Sequence, residues 1–406
     1  MIGRGMKSQF VPGFDEARRM ILEAVAPLEG ERVELLESLG RVLAEDVVSP
    51  WNLPSFSNSA MDGYAVRAED CGNGRALPII DYVAAGGRAA KALAPETAIK
   101  IMTGAPVPDG CDSVVPFERA EERDGAVRVA GDVVRGQHIR REGEDVRGGE
   151  TVLRTGRLVR PFEINMLACC GQEHVAVVRR PTVAIVSTGD ELVALGEIPG
   201  PGQIVNSNGS SLAAAIRGVG ARAVPLGIAR DNLASHREKL AEGLKADVLI
   251  TSAGVSVGDY DLVREVLEEL GVEFVFWRVK VKPGKAMAFG RRQGKVVFAL
   301  PGNPVSSMLT FEEFVAPALL KMMGHRECVK PLFPAELQGE VRKKAGVTQL
   351  LRVRLEHANG KCQAWSAGKQ ETGLVKTLME ADAIAVLAAE SEVIERGEEV
   401  LVHLLG

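Results

Sequence analysis

The sequence predicts a multidomain α/β protein: a central parallel-sheet α/β domain, with a mostly β insertion domain and a C-terminal β-barrel-like domain. Three observations predict it. Apolar runs of strand length alternate with helical patterns over residues 182–323, short β-like runs broken by turn signals fill residues 49–147, and β-rich alternation returns after Pro331 and Pro334. The 406-residue length agrees, because a single hydrophobic core stops growing well below it.

In chain order, Ala17, Met20, Ile21, Ala24 and Val25 recur at helical spacing and Pro27 stops the pattern, which predicts an amphipathic helix over 14–26. Gly86-Gly87, Asp124-Gly125 and Gly148-Gly149 punctuate the β insertion. A helix is expected at 164–168 and a strand at 174–178. From Pro181 onward, strands are expected at 182–187, 223–228, 247–251, 272–281 and 296–300, with helices at 210–219, 233–244, 260–270 and 305–323. Such alternation with short connections predicts a parallel sheet covered by helices on both faces, with ligands beyond the strand C-termini.

Composition excludes several classes of function. Forty-nine basic against 54 acidic side chains give a net charge of −5, so no field attracts nucleic acid or anionic lipid, and aromatics at 4% leave few platforms for stacking bases. No window holds 18 uninterrupted apolar residues, so no membrane span is expected. Asp15, Glu16, Arg18 and Arg19 arrive before a signal-peptide core could form, and a cytoplasmic address follows. Six scattered cysteines without C-x-x-C spacing indicate neither zinc nor disulfides, and are read as buried thiols.

Several candidate chemical groups sit at predicted strand ends. Ser187-Thr188-Gly189-Asp190-Glu191-Leu192 places hydroxyls, a glycine and carboxylates at the ligand edge of the sheet, although Asp190 or Glu191 alone also reads as a turn cap. The Gly/Ser loop from Thr251 to Asp261 opens a helix, where backbone N–H groups suit an anion, and Asp259 alone also reads as an N-cap. Lys282-Pro283-Gly284-Lys285 pairs two ammonium groups around a turn, and Leu300-Pro301-Gly302-Asn303-Pro304 rigidifies another. In the β insertion, Asp62 follows Ser59-Ala60-Met61, Thr103 lies in Met102-Thr103-Gly104-Ala105-Pro106, and Asp145 in Gly143-Glu144-Asp145-Val146; each also reads as a solvated turn. Taken jointly, carboxylates, lysines and Gly/Ser loops suit a Mg²⁺-dependent phosphate site. No Ser-His-Asp triad is expected, since the six histidines lie outside these motifs.

In this combination and order, over nearly the whole chain, the motifs resemble those of the molybdopterin molybdotransferase family, the MoeA type that also forms the E domain of gephyrin. The resemblance implies four domains: residues 8–29 with 180–329 (α/β, molybdopterin-binding), 30–48 with 148–179 (linking), 49–147 (mostly β) and 330–406 (C-terminal β). It also implies an elongated homodimer with its active site shared between subunits. The implied reaction is insertion of molybdenum from molybdate into adenylylated molybdopterin, with Mg²⁺-dependent cleavage of the phosphoanhydride to release AMP and molybdenum cofactor. Molybdopterin adenylyltransferase and molybdoenzyme delivery proteins are the protein partners it implies, with no nucleic acid and no membrane.

Carried over residue by residue, the resemblance implies that Asp62, Thr103, Glu191, Asp231 and Asp259 are catalytic, with Glu191 and Asp259 on the metal. Asp145, Ser187, Thr188, Gly254, Ser256, Gly258, Lys282, Lys285, Pro301, Pro304 and Arg352 would bind substrate. Where the family commonly has a Gly/Ser-rich turn, this chain reads Gly368-Lys369-Gln370-Glu371-Thr372-Gly373, which adds a carboxylate. Two rivals remain: a gephyrin-type scaffold, against which the missing long linker and fused second domain count, and the adenylyltransferase, which resembles only 181–325 and lacks the β insertion with Asp62 and Thr103. A tungstate-inserting paralogue would carry the same motifs, because tungstate and molybdate are tetrahedral dianions of nearly equal size.

Overall fold

The computed structural model describes residues 10–72, 74–254, 262–358 and 360–405. They divide into two compact units, Arg32–Leu39 with Glu45–Ala176, and Met1–Glu31 with Gly40–Ala44 and Val177–Gly406. The first helix, α1 (Phe14–Glu23), belongs to the second of these and buries Phe14, Ala17 and Ile21, the face its spacing predicts.

The smaller unit is mostly β. Its strands β1 (Gly63–Val66), β2 (Ala76–Val83), β3 (Ala98–Ile101), β4 (Ser113–Pro116), β5 (Ala120–Arg123) and β6 (Ala126–Val129) form one sheet in the order β4-β1-β3-β2-β6-β5. β1 is buried on both faces, Tyr64 and Val66 packing with Val115 and Val127, and Ala65 with Ile99 and Ile101. Position 63 requires glycine, because a Cβ there would lie 1.9 Å from the Val115 carbonyl oxygen. Helix α2 (Pro161–Cys169) starts on a proline, whose missing N–H costs nothing at a helix N-terminus.

In the larger unit, strands and helices alternate as β7 (Thr182–Thr188), α3 (Ser207–Gly218), β8 (Arg222–Ala229), α4 (Leu233–Gly243), β9 (Val248–Ser252), α5 (Leu262–Glu269), β10 (Glu273–Phe276), β11 (Ala288–Arg292), β12 (Lys295–Leu300) and α6 (Pro304–Thr310). The sheet order is β8-β7-β9-β12-β11-β10. Pairing β8-β7-β9-β12 is parallel, and alternate side chains serve two cores. Val183, Ile185, Val248, Ile250, Val296 and Phe298 pack under α1, α3 and α6, whereas Ala184, Val186, Leu249 and Val297 meet Leu240 of α4 and Val263, Val266 and Leu267 of α5.

Two expectations change here. Residues 272–281 are not one strand: β10 ends at Phe276, and Val281–Lys282 pairs instead with Thr348–Gln349 of the C-terminal sheet. The unforeseen β11 then pairs antiparallel with β12, because Gln293 and Gly294, both at positive φ (49° and 79°), turn the chain back within two residues, too short for a parallel crossover. The expected helix 305–323 is interrupted by a π-helical turn, Phe311–Val315, before α7 (Ala316–Met322). Pro317 has no N–H for the Glu313 carbonyl, which accepts from Arg18 Nε instead (3.3 Å).

The C-terminal β region follows. Strands β13 (Phe333–Leu337), β14 (Thr348–Ala358), β15 (Lys361–Ser366), β16 (Ala383–Leu387) and β17 (Glu399–Leu404) pair as β14-β15-β13-β17-β16 and back to β14, a closed five-stranded barrel filled by Leu337, Leu351, Val353, Ala385 and Val402. The six cysteines are free, but only Cys170 is buried; Cys169 is exposed and the rest lie half-buried, so the reading of buried thiols holds for one of them. Among the described residues no helix is long and apolar enough to cross a membrane.

Candidate active site

Parallel pairing brings three strand ends to one edge of the α/β sheet. Ser187 is opposite Ser252, and Ser252 opposite Leu300, so the loops after β7, β9 and β12 emerge side by side. With the loop after β8 they line a cleft of two adjoining lobes, ≈ 480 and ≈ 650 Å³. Thr188, Glu191, Ala253 and Gly254 line both lobes. Pro301 and Pro304 line the first, and Asp231 the second.

The Glu191 loop is clasped to the Asp231 loop. Asp231 Oδ2 accepts the Asp190 N–H and Asp190 Oδ1 accepts the Asp231 N–H, both at 3.2 Å, while Arg230 Nη1 donates to the Leu192 carbonyl (3.0 Å). Gly189 has φ +134°, and a Cβ there would sit 2.2 Å from Glu191 Oε2. Gly254 has φ +76°, and its Cβ would meet Val263 Cγ2 at 2.2 Å and Thr188 Oγ1 at 3.3 Å. Both positions therefore need glycine to keep the cleft wall as it is. The exposed Glu191 carboxylate is free to face a ligand.

Ser187 does not face the cleft: it is 1% exposed, and its hydroxyl donates to Asn206 Oδ1 (2.9 Å). That same oxygen accepts the Gly209 N–H (3.0 Å) and so caps α3. Asn206 and Asn208, both in the cleft wall, were missed by the sequence reading, although Asn-Ser-Asn-Gly before a helical pattern is an N-cap signal. Asn208 Nδ2 donates to Ser252 Oγ (2.8 Å) and to the Gly302 carbonyl (2.7 Å), tying α3 to two strand ends. Its buried Oδ1 has no protein partner among the described residues. His236 also lines the second lobe, so one histidine does reach the site; its Nδ1 lies 3.0 Å from the Asn232 carbonyl.

The lysine turn is shaped by Gly284 (φ +112°), whose Cβ would meet Thr310 Cγ2 at 2.4 Å. Lys282 and Lys285 are exposed, and of this segment Ala286 lines the cleft. Ser256, Gly258 and Asp259 lie outside the described residues. Arg352 departs from its expected substrate role. It is 0% exposed, and its Nη2 donates to the carbonyls of Lys369 (3.2 Å) and Glu371 (3.3 Å), so it braces the 368–373 turn from inside. Burial pushes its guanidinium pKa down, and Nε and Nη1 have no partner among the described residues.

In the smaller unit, β1 begins after Asp62 and β3 ends before Met102, with Gly63 opposite Ile101. Asp62 and Thr103 therefore emerge together: Asp62 Oδ1 accepts the Thr103 N–H (2.6 Å) and hydroxyl (2.7 Å). The hydroxyl bond first, then the N–H, holds the Asp62 carboxyl below the usual range, so it stays ionised at neutral pH. Thr103 thus spends its hydroxyl proton on Asp62. Asp145 is exposed at a turn held by its N–H on the Leu53 carbonyl (3.0 Å).

Three family models match the chain in order: the MoeA N-terminal region (domain I and II) over residues 13–171, a probable molybdopterin binding domain over 184–321, and the MoeA C-terminal region (domain IV) over 334–405. A molybdopterin molybdenumtransferase from Haemophilus influenzae is 35% identical over 97% of this chain and 99% of its own length. The chain belongs to the molybdopterin molybdenumtransferase family. A Mycobacterium tuberculosis member, molybdopterin molybdenumtransferase 2, is 39% identical over 85% of this chain and 88% of its own. The crystal structure of a molybdopterin biosynthesis MoeA protein from Pyrococcus horikosii superposes with a TM-score of 0.84 at 31% identity, covering 97% of this chain and 99% of that one. Membership makes the chain a transferase of molybdenum cofactor biosynthesis. Within the family's layout, every cleft residue from Thr188 to Pro304 falls in the probable molybdopterin binding domain, whereas Asp62, Thr103 and Asp145 fall in the N-terminal region and Arg352 in the C-terminal region.

Proposed function

We propose that the chain inserts molybdenum from molybdate into adenylylated molybdopterin and cleaves the phosphoanhydride with Mg²⁺, releasing AMP and molybdenum cofactor. The observation that carries this reading is the two-lobed cleft: Glu191 and Asp231 on one side and the Pro301–Pro304 loop on the other, at the carboxyl edge of a parallel sheet where such folds bind ligands. The donor set suits Mg²⁺, a hard cation that takes one or two carboxylates and lets phosphate and water complete its octahedron. Glu191 and Asp231 would hold it, with Asp259 as a further candidate; bound there, Mg²⁺ would supply Lewis-acid polarisation of the phosphoanhydride.

The chain's own groups have separable tasks. Thr188 and the glycine-bearing loops shape the cleft, and Asn208 fixes α3 against Ser252 and Gly302 so that the lobes keep their width. Lys282 and Lys285 offset the negative charge of phosphate or molybdate. Asp62, ionised and oriented by Thr103, receives a proton or positions water. We place the enzyme in the cytoplasm as a homodimer whose site draws on both subunits. Supplying adenylylated molybdopterin and molybdate to the purified protein, and following AMP and cofactor together, tests the reading.

Lys282→Ala separates the ligand role from a merely structural one. It is expected to weaken molybdate binding about tenfold, read by calorimetry, because a cation beside a dianion is lost. The melting temperature should hardly move, since Lys282 is exposed and such changes stay within about 0.5 kcal/mol. A clear fall in melting temperature with unchanged binding would make the turn architectural.

A further inference from the structure

At the opposite edge of the α/β sheet from the cleft lies a hollow of ≈ 670 Å³ walled by Arg41, Arg179, Arg180, Arg217 and Arg222, with Glu31 the one carboxylate among its lining residues. The placement follows from the fold. β7 and β8 start together, Thr182 opposite Arg222, so the strands that end at the cleft begin here, roughly 20 Å away for seven residues of strand. Arg180 precedes β7, Arg222 opens β8, and Arg217 sits in the last turn of α3.

Two of the five arginines are already neutralised and held. Arg179 makes a bidentate pair with Asp247 (2.8 and 2.8 Å) and donates through Nε to Glu29 (2.5 Å). Burial pushes the Asp247 carboxyl up, but Arg179 and the Thr182 donors outweigh it and hold it at about 2, so Arg179 keeps its counter-charge at neutral pH. Arg41, 6% exposed, pairs with Glu31 and donates to the Val178 carbonyl (2.8 Å). The other three differ. Arg180, Arg217 and Arg222 are exposed, and among the described residues their guanidiniums make no ion pair and no hydrogen bond. Elsewhere some exposed arginines meet a carboxylate, as Arg237 does Glu269 (2.9 Å) and Arg342 does Glu340 (2.6 Å), and others, such as Arg128 and Arg354, make no ion pair among the described residues; what sets Arg180, Arg217 and Arg222 apart is that they line one concavity.

Three unpaired guanidiniums around one concavity repel one another, and a bound anion removes that cost. Each presents planar donors that match phosphate oxygens in pairs. No aromatic side chain is among the lining residues of the hollow, so no ring there stacks on a base. We propose that this hollow is a second anion site, separate from the cleft, for a small multivalent phosphate of the inorganic pyrophosphate type.

The proposal does not rest on the reading of the cleft. Its test is calorimetry of the full-length protein with inorganic pyrophosphate at low salt, comparing wild type with Arg217→Ala/Arg222→Ala and with Lys282→Ala/Lys285→Ala. The arginine pair is expected to weaken pyrophosphate binding at the hollow at least about tenfold, with an unchanged melting temperature, because two charge-assisted contacts go. The lysine pair is expected to leave that binding event in place. AMP, titrated in parallel, is expected to bind the hollow more weakly than pyrophosphate, since its single phosphate meets fewer guanidiniums and its base meets no ring. Wild type that binds no pyrophosphate at millimolar concentration, or pyrophosphate binding that survives the arginine pair and vanishes with the lysine pair, would overturn the site.

Discussion

Glu191→Gln is expected to fold like the wild type and to lose at least about a hundredfold in cofactor formation from adenylylated molybdopterin and molybdate. The side chain keeps its shape and loses its charge. Glu191 is exposed, so the substitution should shift stability by no more than about 0.5 kcal/mol. Its loop is held by contacts that do not involve the carboxylate, the Asp190–Asp231 exchange and the Ile204 N–H on the Glu191 carbonyl (2.8 Å). A neutral amide in the cleft can neither hold a hard cation well nor balance its charge. Turnover at the wild-type rate would remove Glu191 from the chemistry.

The second large effect is expected from mixing inactive chains. Asp62 and Glu191 belong to different compact units, and we propose that each site takes one from each subunit of the dimer. Asp62→Asn chains mixed with Glu191→Gln chains then form heterodimers with one doubly defective and one intact site. Random reassortment makes about half of the dimers mixed, so activity should recover to about a quarter of wild type if sites act independently. Mass spectrometry must first show subunit exchange. Heterodimers that stay as inactive as either parent would place each site within one subunit.

Much of the cleft was legible because its grammar is local. A buried apolar strand followed by small hydroxyls, glycine and acids marked Thr188 and Glu191, and Pro-Gly-Asn-Pro at a strand end marked Pro301 and Pro304; all four line the cleft. Asn208 was not legible, because its work lies in bonds to Ser252 and Gly302, 44 and 94 residues away, which only the parallel register creates. The burial of Arg352 was not legible either. It entered through the resemblance alone as a substrate contact, and no local pattern signals that closure of the barrel and the 368–373 turn bury it completely. The antiparallel β11 was not legible because its apolar part, Ala286 to Phe289, is too short to read as a strand by itself, with Gln293-Gly294 as the local sign of the turn.

The account turns on coupling between metal insertion and phosphoanhydride cleavage in this one chain. The direct measurement incubates purified protein with adenylylated molybdopterin and Mg²⁺, with and without molybdate, and quantifies AMP and molybdenum cofactor in the same samples. The account predicts the two products in equal amounts, with both falling together when molybdate or Mg²⁺ is withheld or when Glu191→Gln replaces the wild type. AMP release that proceeds without cofactor, or cofactor that forms from adenylylated molybdopterin with no AMP, would contradict it.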